Sequence, residues 1–323
     1  MELLLETENL KKYYGKEKIV ENNRLSVVKA VDGVSLKLWK GKSLALIGES
    51  GSGKTTFGML AAGLEKPTGG KVFFKGEAVH GKKERDLRPM RKNLQMIFQS
   101  SNSVFDPTYT IGESIREVMK NYVSLSRKEY DDAIEEVLEK VGLEAKLKNR
   151  YVSQLSGGQC QRANIARALV LHPELVICDE PVSSLDYSIR KQILNLLKEM
   201  QEEFNVTYLL ITHDLSNVPY VCDAVAIMYQ GRVVEYIERT DCIEEMAEHP
   251  YTQLLFHSVP ATDPRKRKLG MEKGKPLVPS IFARTGCSYQ SRCERCREVC
   301  KQEIPELTPI AEGHWVACHC NKK

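Results

Sequence analysis

The sequence predicts an α/β fold with a charged helical insertion and a small cysteine-rich C-terminal extension. Three observations predict it. Short apolar runs at 43–47, 94–98, 175–179 and 206–212 each end in polar residues, as buried strands do when their ends share one sheet edge. Residues 111–149 are charged, with apolar residues at helical spacing and no strand pattern. Six of the ten cysteines crowd the last forty residues.

The length of 323 residues has room for one large domain with an appendage, or for two domains. A formal net charge of +4 gives no reason to expect nucleic acid as a partner. No apolar run approaches the roughly 18–20 residues of a membrane-spanning helix. The start, Met1 to Glu6, is acidic and lacks the basic region of a signal peptide. The expectation is a soluble or peripheral intracellular protein. In that setting Cys160, Cys178, Cys222 and Cys242 read as small buried hydrophobes. The terminal crowd suits metal better than disulfides.

Taken in order, residues 2–14 and 31–38 read as two strands around a polar stretch. Tyr13 and Tyr14 close the first strand, where one ring can stack on a purine or serve as an ordinary strand-end aromatic. The strand at 43–47 then leads into Gly48-Glu49-Ser50-Gly51-Ser52-Gly53-Lys54-Thr55, which matches G-x-x-x-x-G-K-[ST] at every fixed position. Thr56 opens a helical run that Gly63 and Pro67 help to close. The glycines let the backbone wrap an oxyanion. Helix N-terminal N–H groups then face the phosphates. Lys54 adds a point charge, and the Thr55 hydroxyl suits Mg²⁺.

Residues 71–75 read as a further strand, 82–92 as a basic stretch, and 94–98 as a strand ended by Gln99. That amide can reach Mg²⁺ or an attacking water, or simply cap the strand. Within 111–149, Ile115, Val118, Met119, Ile134, Val137, Leu138 and Val141 mark two or three helices, with Gly142 as a stop. Leu155-Ser156-Gly157-Gly158-Gln159 then opens another helix, with Ser156 as its N-cap. It is a phosphate cradle without its own cation, which makes sense if it completes a nucleotide held elsewhere. The strand at 175–179 ends in Asp179 and Glu180, suited to Mg²⁺ and to polarising water respectively. The strand at 206–212 ends in His213. A hairpin follows at 225–237 around Gly231, then a helix at 250–256 and a solvated basic linker at 260–279.

The phosphate loop, Gln99, LSGGQ at 155–159, Asp179-Glu180, Ser184-Leu185-Asp186 and His213 occur in one order. Together they resemble the ATP-binding subunit of an ABC transporter over roughly residues 3–258. The resemblance implies a RecA-like P-loop ATPase core with an antiparallel β subdomain, and a helical subdomain inserted at about 100–155. It implies adenine stacking on Tyr14 and nucleotide binding by residues 48–56. Mg²⁺ is expected at Thr55, Gln99 and Asp179. Gln99 resembles the Q-loop glutamine, Glu180 the catalytic base, His213 the switch histidine and Asp186 the D-loop aspartate. Two subunits then face head to tail, so that Ser156, Gly157, Gly158 and Gln159 cap the ATP on the other's Lys54.

The runs at 28–34, 48–54, 181–186 and His249-Pro-Tyr-Thr-Gln253 resemble the dipeptide/oligopeptide and nickel importer ATPases, and the runs at 64–69 and 87–91 the F-type. That implies a D-type ATPase partner in a heterodimer, two transmembrane permeases and an extracytoplasmic peptide-binding protein, with this subunit on the cytoplasmic face of the membrane. Two departures stand out: Cys160 where arginine is usual, and residues 100–107, which face the permease in this family. The competing class is a soluble ABC ATPase acting on ribosomes or nucleic acid. A regulatory subunit with a dead site is disfavoured because every catalytic position is intact.

Cys287-x5-Cys293-x6-Cys300-x17-Cys318 resembles the C-terminal motif of these subunits, which in some members holds a [4Fe–4S] cluster. Four thiolates suit that cluster or structural zinc. Cys296 and Cys320 read as spares, and His314 and His319 as substitute ligands for zinc. The extension, 259–323, is too small to bury much core, so a metal staple has a clear role.

Overall fold

The computed structural model describes residues 1–15, 19–20, 23–24, 27–99, 104–257 and 285–321; the basic linker and part of the 100–107 run lie outside them. The chain opens with β1 (Leu3–Tyr14), the two-residue strands β2 (Ile19–Val20) and β3 (Asn23–Arg24), then β4 (Val28–Val34) and β5 (Lys37–Trp39). The 31–38 run is thus two strands, parted where the Thr7 hydroxyl accepts the Leu36 N–H. Next come β6 (Leu44–Ile47), α1 (Lys54–Ala61), β7 (Gly69–Phe74) and β8 (Glu77–Ala78). β1, β4, β5, β7 and β8 form one antiparallel sheet.

The basic stretch expected near 82–92 is a helix, α2 (Glu84–Asn93), with Pro89 inside it and only Leu87 buried. It leads directly into β9 (Leu94–Ile97). The insertion contains α3 (Ile111–Lys120) and α4 (Arg127–Lys140), followed by α5 (Gly157–Leu169). All three helices start on reciprocal capping boxes, Thr110 with Glu113, Ser126 with Glu129 and Ser156 with Gln159. Each box satisfies donors that a helix start leaves open. Gly142 takes φ 73° just past α4. There its N–H meets the Glu139 carbonyl at 2.9 Å and closes the helix.

The remaining elements are β10 (Leu175–Asp179), α6 (Tyr187–Phe204), β11 (Thr207–Thr212), α7 (Val218–Val221), β12 (Ala224–Tyr229), β13 (Arg232–Ile237), α8 (Ile243–Met246) and α9 (Pro250–His257). The tail adds α10 (Glu298–Gln302), β14 (Thr308–Ala311) and β15 (His314–Val316). The large sheet runs β14-β15-β13-β12-β6-β11-β10-β9. Its members from β12 to β9 are parallel.

Those strands are apolar throughout because both faces are covered. Their residues alternate between two cores. Leu44, Leu46, Leu175, Ile177, Leu209 and Ile211 pack on the side of the antiparallel sheet and α1. Ala45, Ile47, Val176, Cys178, Tyr208 and Leu210 pack on the side of the helical insertion. Each fully buried aliphatic side chain there stabilises the fold by about 1.5–3 kcal/mol. The tail is continuous with this architecture: β15 pairs with β13, and Cys287, Tyr289 and Cys300 belong to the second core.

Candidate active site

β6 feeds the phosphate loop, and the loop is pressed against its neighbours. A Cβ at Gly48 would stand 2.1 Å from the Met228 carbonyl oxygen, and one at Gly53 1.9 Å from that of Ala30. Gly53 also takes φ 103° as the N-cap of α1. No side chain caps this helix, so its first N–H groups are left for an anion. Lys54 is buried and donates to the Gly48 carbonyl at 2.7 Å and to that of Glu49 at 2.9 Å. Burial lowers its pKa, while Glu180, Asp179 and Glu49 pull the other way. Ser50 and Gly51 form the exposed tip of the loop. The Ser52 hydroxyl is buried without a hydrogen-bond partner among the described residues.

The polar strand ends converge as the sheet order dictates. The Thr55 hydroxyl donates to Asp179 Oδ1 at 3.1 Å. Asp179 is buried, which raises its carboxyl pKa; the Thr55 bond and Lys54 oppose that rise. Glu180 turns out of the strand with φ 46°, a left-handed conformation that costs about 1–2 kcal/mol for a residue with a Cβ. One carboxylate oxygen lies 3.0 Å from His213 Nδ1, and the other accepts from Gln99 Nε2 at 3.1 Å. Gln99 after β9, Asp179 at the end of β10 and Glu180 just past it, and His213 after β11 thus form one constellation beside Lys54 and Thr55.

Other expected residues lie around it. Tyr14 ends β1, half-exposed, with its hydroxyl donating to Glu65 at 2.7 Å and its side chain interacting with that of Thr56. Ser156, the N-cap of α5, and Asp186, the N-cap of α6, are exposed on this protomer. Gly157 is exposed, and a Cβ there would meet only Leu185 Cδ2 at 3.7 Å. Gly158 is tighter, with Ile189 Cγ2 at 3.0 Å.

Sequence reasoning missed two residues at this site. Arg292, on the tail, grips the Glu49 carboxylate through both terminal nitrogens at 2.8 and 3.0 Å. The Tyr251 hydroxyl accepts the Glu49 N–H at 2.8 Å. A separation of 243 positions between Arg292 and Glu49 leaves no local signal of the pair.

In the tail, all six cysteines lie close enough to interact: Cys300, Cys293 and Cys296 act on Cys287, Cys296, Cys320 and Cys300 on Cys293, and Cys320, Cys287 and Cys293 on Cys318. Burial raises the Cys287 and Cys318 thiols to about 11, against N–H bonds from Tyr289 and Cys320 that lower them. Cys293 likewise accepts from Arg295, and Cys300 from the Arg297 N–H at 3.4 Å. By contrast, Cys296 and Cys320 donate S–H to carbonyls. Among the described residues, no group of three or more His, Cys, Asp and Glu side chains is arranged to hold a metal ion. The two candidate zinc histidines point elsewhere. His314 is buried against Glu235 at 2.7 Å, and His319 meets the Glu303 carbonyl at 2.9 Å.

Among the described residues, no helix is long and apolar enough to cross a membrane. Residues 31–183 match the ABC transporter family, and residues 234–300 the oligopeptide/dipeptide transporter C-terminal region. The chain is 42% identical to the oligopeptide transport ATP-binding protein AppF of Bacillus subtilis, covering 98% of this chain and 97% of that one. It is 42% identical to OppF of Salmonella typhimurium over 90% of this chain and 87% of that one. It is 40% identical to the dipeptide transport protein DppF of Escherichia coli, over 98% and 93%. The ATP-binding cassette MJ0796, in its dimeric post-hydrolysis state bound to ADP and Pi, superposes with a TM-score of 0.64. That match has 28% identity and covers 73% of this chain and 98% of that one. With the phosphate loop, the acidic strand end and the histidine assembled in that fold, the chain belongs to the ATP-hydrolysing subunits of ABC transporters, in the oligopeptide/dipeptide branch.

Proposed function

We propose that this ATPase drives uptake of dipeptides or oligopeptides, working as the peripheral subunit on the cytoplasmic face of a membrane. The observation that carries the chemistry is the Glu180 carboxylate, held between Gln99 and His213 one residue beyond Asp179. The C-terminal region and the names of the relatives support the peptide solute over nickel. They also support an F-type role, with a D-type ATPase, two permeases and an extracytoplasmic binding protein as partners.

In this reading the loop Gly48 to Gly53, with Lys54, Thr55 and Thr56, binds the phosphates, and Tyr14 lies against the adenine. The donors of Thr55, Asp179 and Gln99 are all oxygens or amides, which fits a hard cation. Mg²⁺, when bound there, neutralises charge on the β- and γ-phosphoryl oxygens. Glu180 takes a proton from the attacking water as the water oxygen bonds to the γ-phosphorus. The bond from that phosphorus to the β–γ bridging oxygen breaks, and ADP leaves with the electron pair. Gln99 and His213 orient the Glu180 carboxylate, and His213 reaches the γ-phosphate.

Gly157 supports a shared nucleotide. Its backbone is exposed at the start of α5, and its own chain fills none of the space that a Cβ would take, which leaves that backbone open to a ligand from outside the chain. Ser156, Gly157, Gly158 and Gln159 then cap the ATP of a partner subunit, with Asp186 at the same junction. In the extension at 259–323, Cys287, Cys293, Cys300 and Cys318 each accept a backbone N–H; at Cys287, Cys293 and Cys318 that bond acts against burial, which keeps those thiols raised until a metal displaces the proton. That supports a four-thiolate site for a [4Fe–4S] cluster, with zinc as the alternative.

The test is Glu180→Gln in the full chain with its sister subunit. Its amide oxygen can still accept from Gln99 while its NH2 faces His213, but it cannot take the proton, so MgATP stays bound in a stable dimer and turnover falls by about 10²-fold or more. Unchanged turnover removes Glu180 as the base.

A further inference from the structure

We propose that Arg292 and Tyr251 are positioning residues for nucleotide binding, clamping Glu49 so that the phosphate loop is set by the C-terminal tail. Every polar group of Glu49 is held. Tyr251 takes its N–H at 2.8 Å, Lys54 donates to its carbonyl at 2.9 Å, and Arg292 forks onto its carboxylate at 2.8 and 3.0 Å. A two-pronged guanidinium–carboxylate pair fixes orientation as well as distance.

The clamp has a rigid seat. The Arg292 guanidinium lies 5.8 Å from the Tyr229 ring centre and 5.6 Å from that of Tyr289. Those rings pack with Tyr251 at centroid distances of 4.5 to 5.5 Å. Tyr251 is completely buried. β12, α9 and the tail thus meet at one aromatic cluster directly behind the loop.

Glu49 is the second residue of a loop whose N–H groups must already face the phosphates. Ordering that loop beforehand removes a cost from ATP binding. The ground and transition states share this benefit, so its loss raises KM and leaves kcat nearly unchanged.

The experiment measures MgATP affinity and steady-state hydrolysis of the full chain, with the thermal midpoint as a folding control. Arg292→Ala is expected to raise the Kd and KM for ATP about three- to tenfold, with kcat within about twofold. Arg292→Lys restores less than half of the loss, because an ammonium lacks the fork. Tyr251→Phe leaves the Glu49 N–H unpaired and raises Kd while keeping the aromatic packing. Combined with Glu49→Gln, Arg292→Ala adds little further loss, as coupled partners do. Unaltered affinity in both Arg292→Ala and Tyr251→Phe overturns the proposal. So does an Arg292→Ala effect of undiminished size in the Glu49→Gln background. If Arg292→Ala fails to fold, Tyr251→Phe alone decides.

Discussion

His249 sits two residues before Tyr251 of the clamp and carries a charge state that burial decides. It is almost fully buried, and burial pushes its imidazole down to about 4 from an ordinary value of 6.5, although nearby Glu235 acts to raise it. Its Nδ1 accepts the Tyr251 N–H at 3.1 Å, Glu235 accepts its own N–H at 3.1 Å, and the Tyr289 ring lies 5.7 Å away. Below pH 6.5 the unfolded chain gains a proton that the folded histidine refuses until about pH 4. The depressed value therefore contributes stability that is complete above pH 6.5 and lost as pH falls towards 4. The ceiling is on the order of 3 kcal/mol. Urea unfolding between pH 7 and pH 4.5 should show this slope, and His249→Asn should flatten it while lowering stability at pH 7. An equal slope in the variant would remove His249 as its source. The meeting of Lys54, Asp179 and Glu180 at one sheet edge was legible in the sequence because each sits at a fixed offset from a strand end. Tyr251 and the burial of His249 were not, since both depend on packing between distant segments.

At the scale of elements, the start of α5 separates what the fold needs from what the reaction needs. Ser156 accepts the Gln159 N–H, and the Gln159 side chain accepts the Ser156 N–H. Ser156→Ala is expected to cost about 1 kcal/mol of stability, the usual worth of an N-cap. Gly157→Ala meets only Leu185 at 3.7 Å and replaces a poor helix former with a good one. Its thermal midpoint should hold or rise slightly, while ATP hydrolysis with the sister subunit falls at least tenfold if a nucleotide must approach that backbone. A variant with both normal stability and normal hydrolysis would count against the shared nucleotide. The capping signals of this helix were readable because they are local. α2 escaped notice for the opposite reason: with Leu87 its one buried residue and Pro89 in its middle, it has no apolar stripe to read.

At the scale of the whole molecule, the tail is bound to the ATPase body by long-range contacts that no local pattern announces. β15 extends the large sheet beside β13, His314 pairs with the buried Glu235 of that strand, and Arg292 reaches the phosphate loop. The cysteine spacing marked the tail as a unit, but its seat behind the active site emerges only in three dimensions. The hydrogen bonds divide the six terminal cysteines into two kinds. Cys287, Cys293, Cys300 and Cys318 accept backbone N–H groups. Cys296 and Cys320 instead donate S–H to the Arg297 and Arg295 carbonyls. Single alanine variants, purified without oxygen, should divide the same way when iron, sulfide and zinc are assayed per chain. On the proposed four-thiolate site, Cys296→Ala and Cys320→Ala should match the metal content of the parent, and each of the other four should lose most of it. Because the tail shares a core and a sheet with the ATPase body, metal loss should also lower the thermal midpoint of the whole chain. The expected fall is about 1–2 °C for each kcal/mol of docking lost, because the unfolding entropy that divides it grows with chain length. Equal metal content in all six variants would dismiss the four-thiolate assignment and leave the tail held by its strand pairing and aromatic cluster alone.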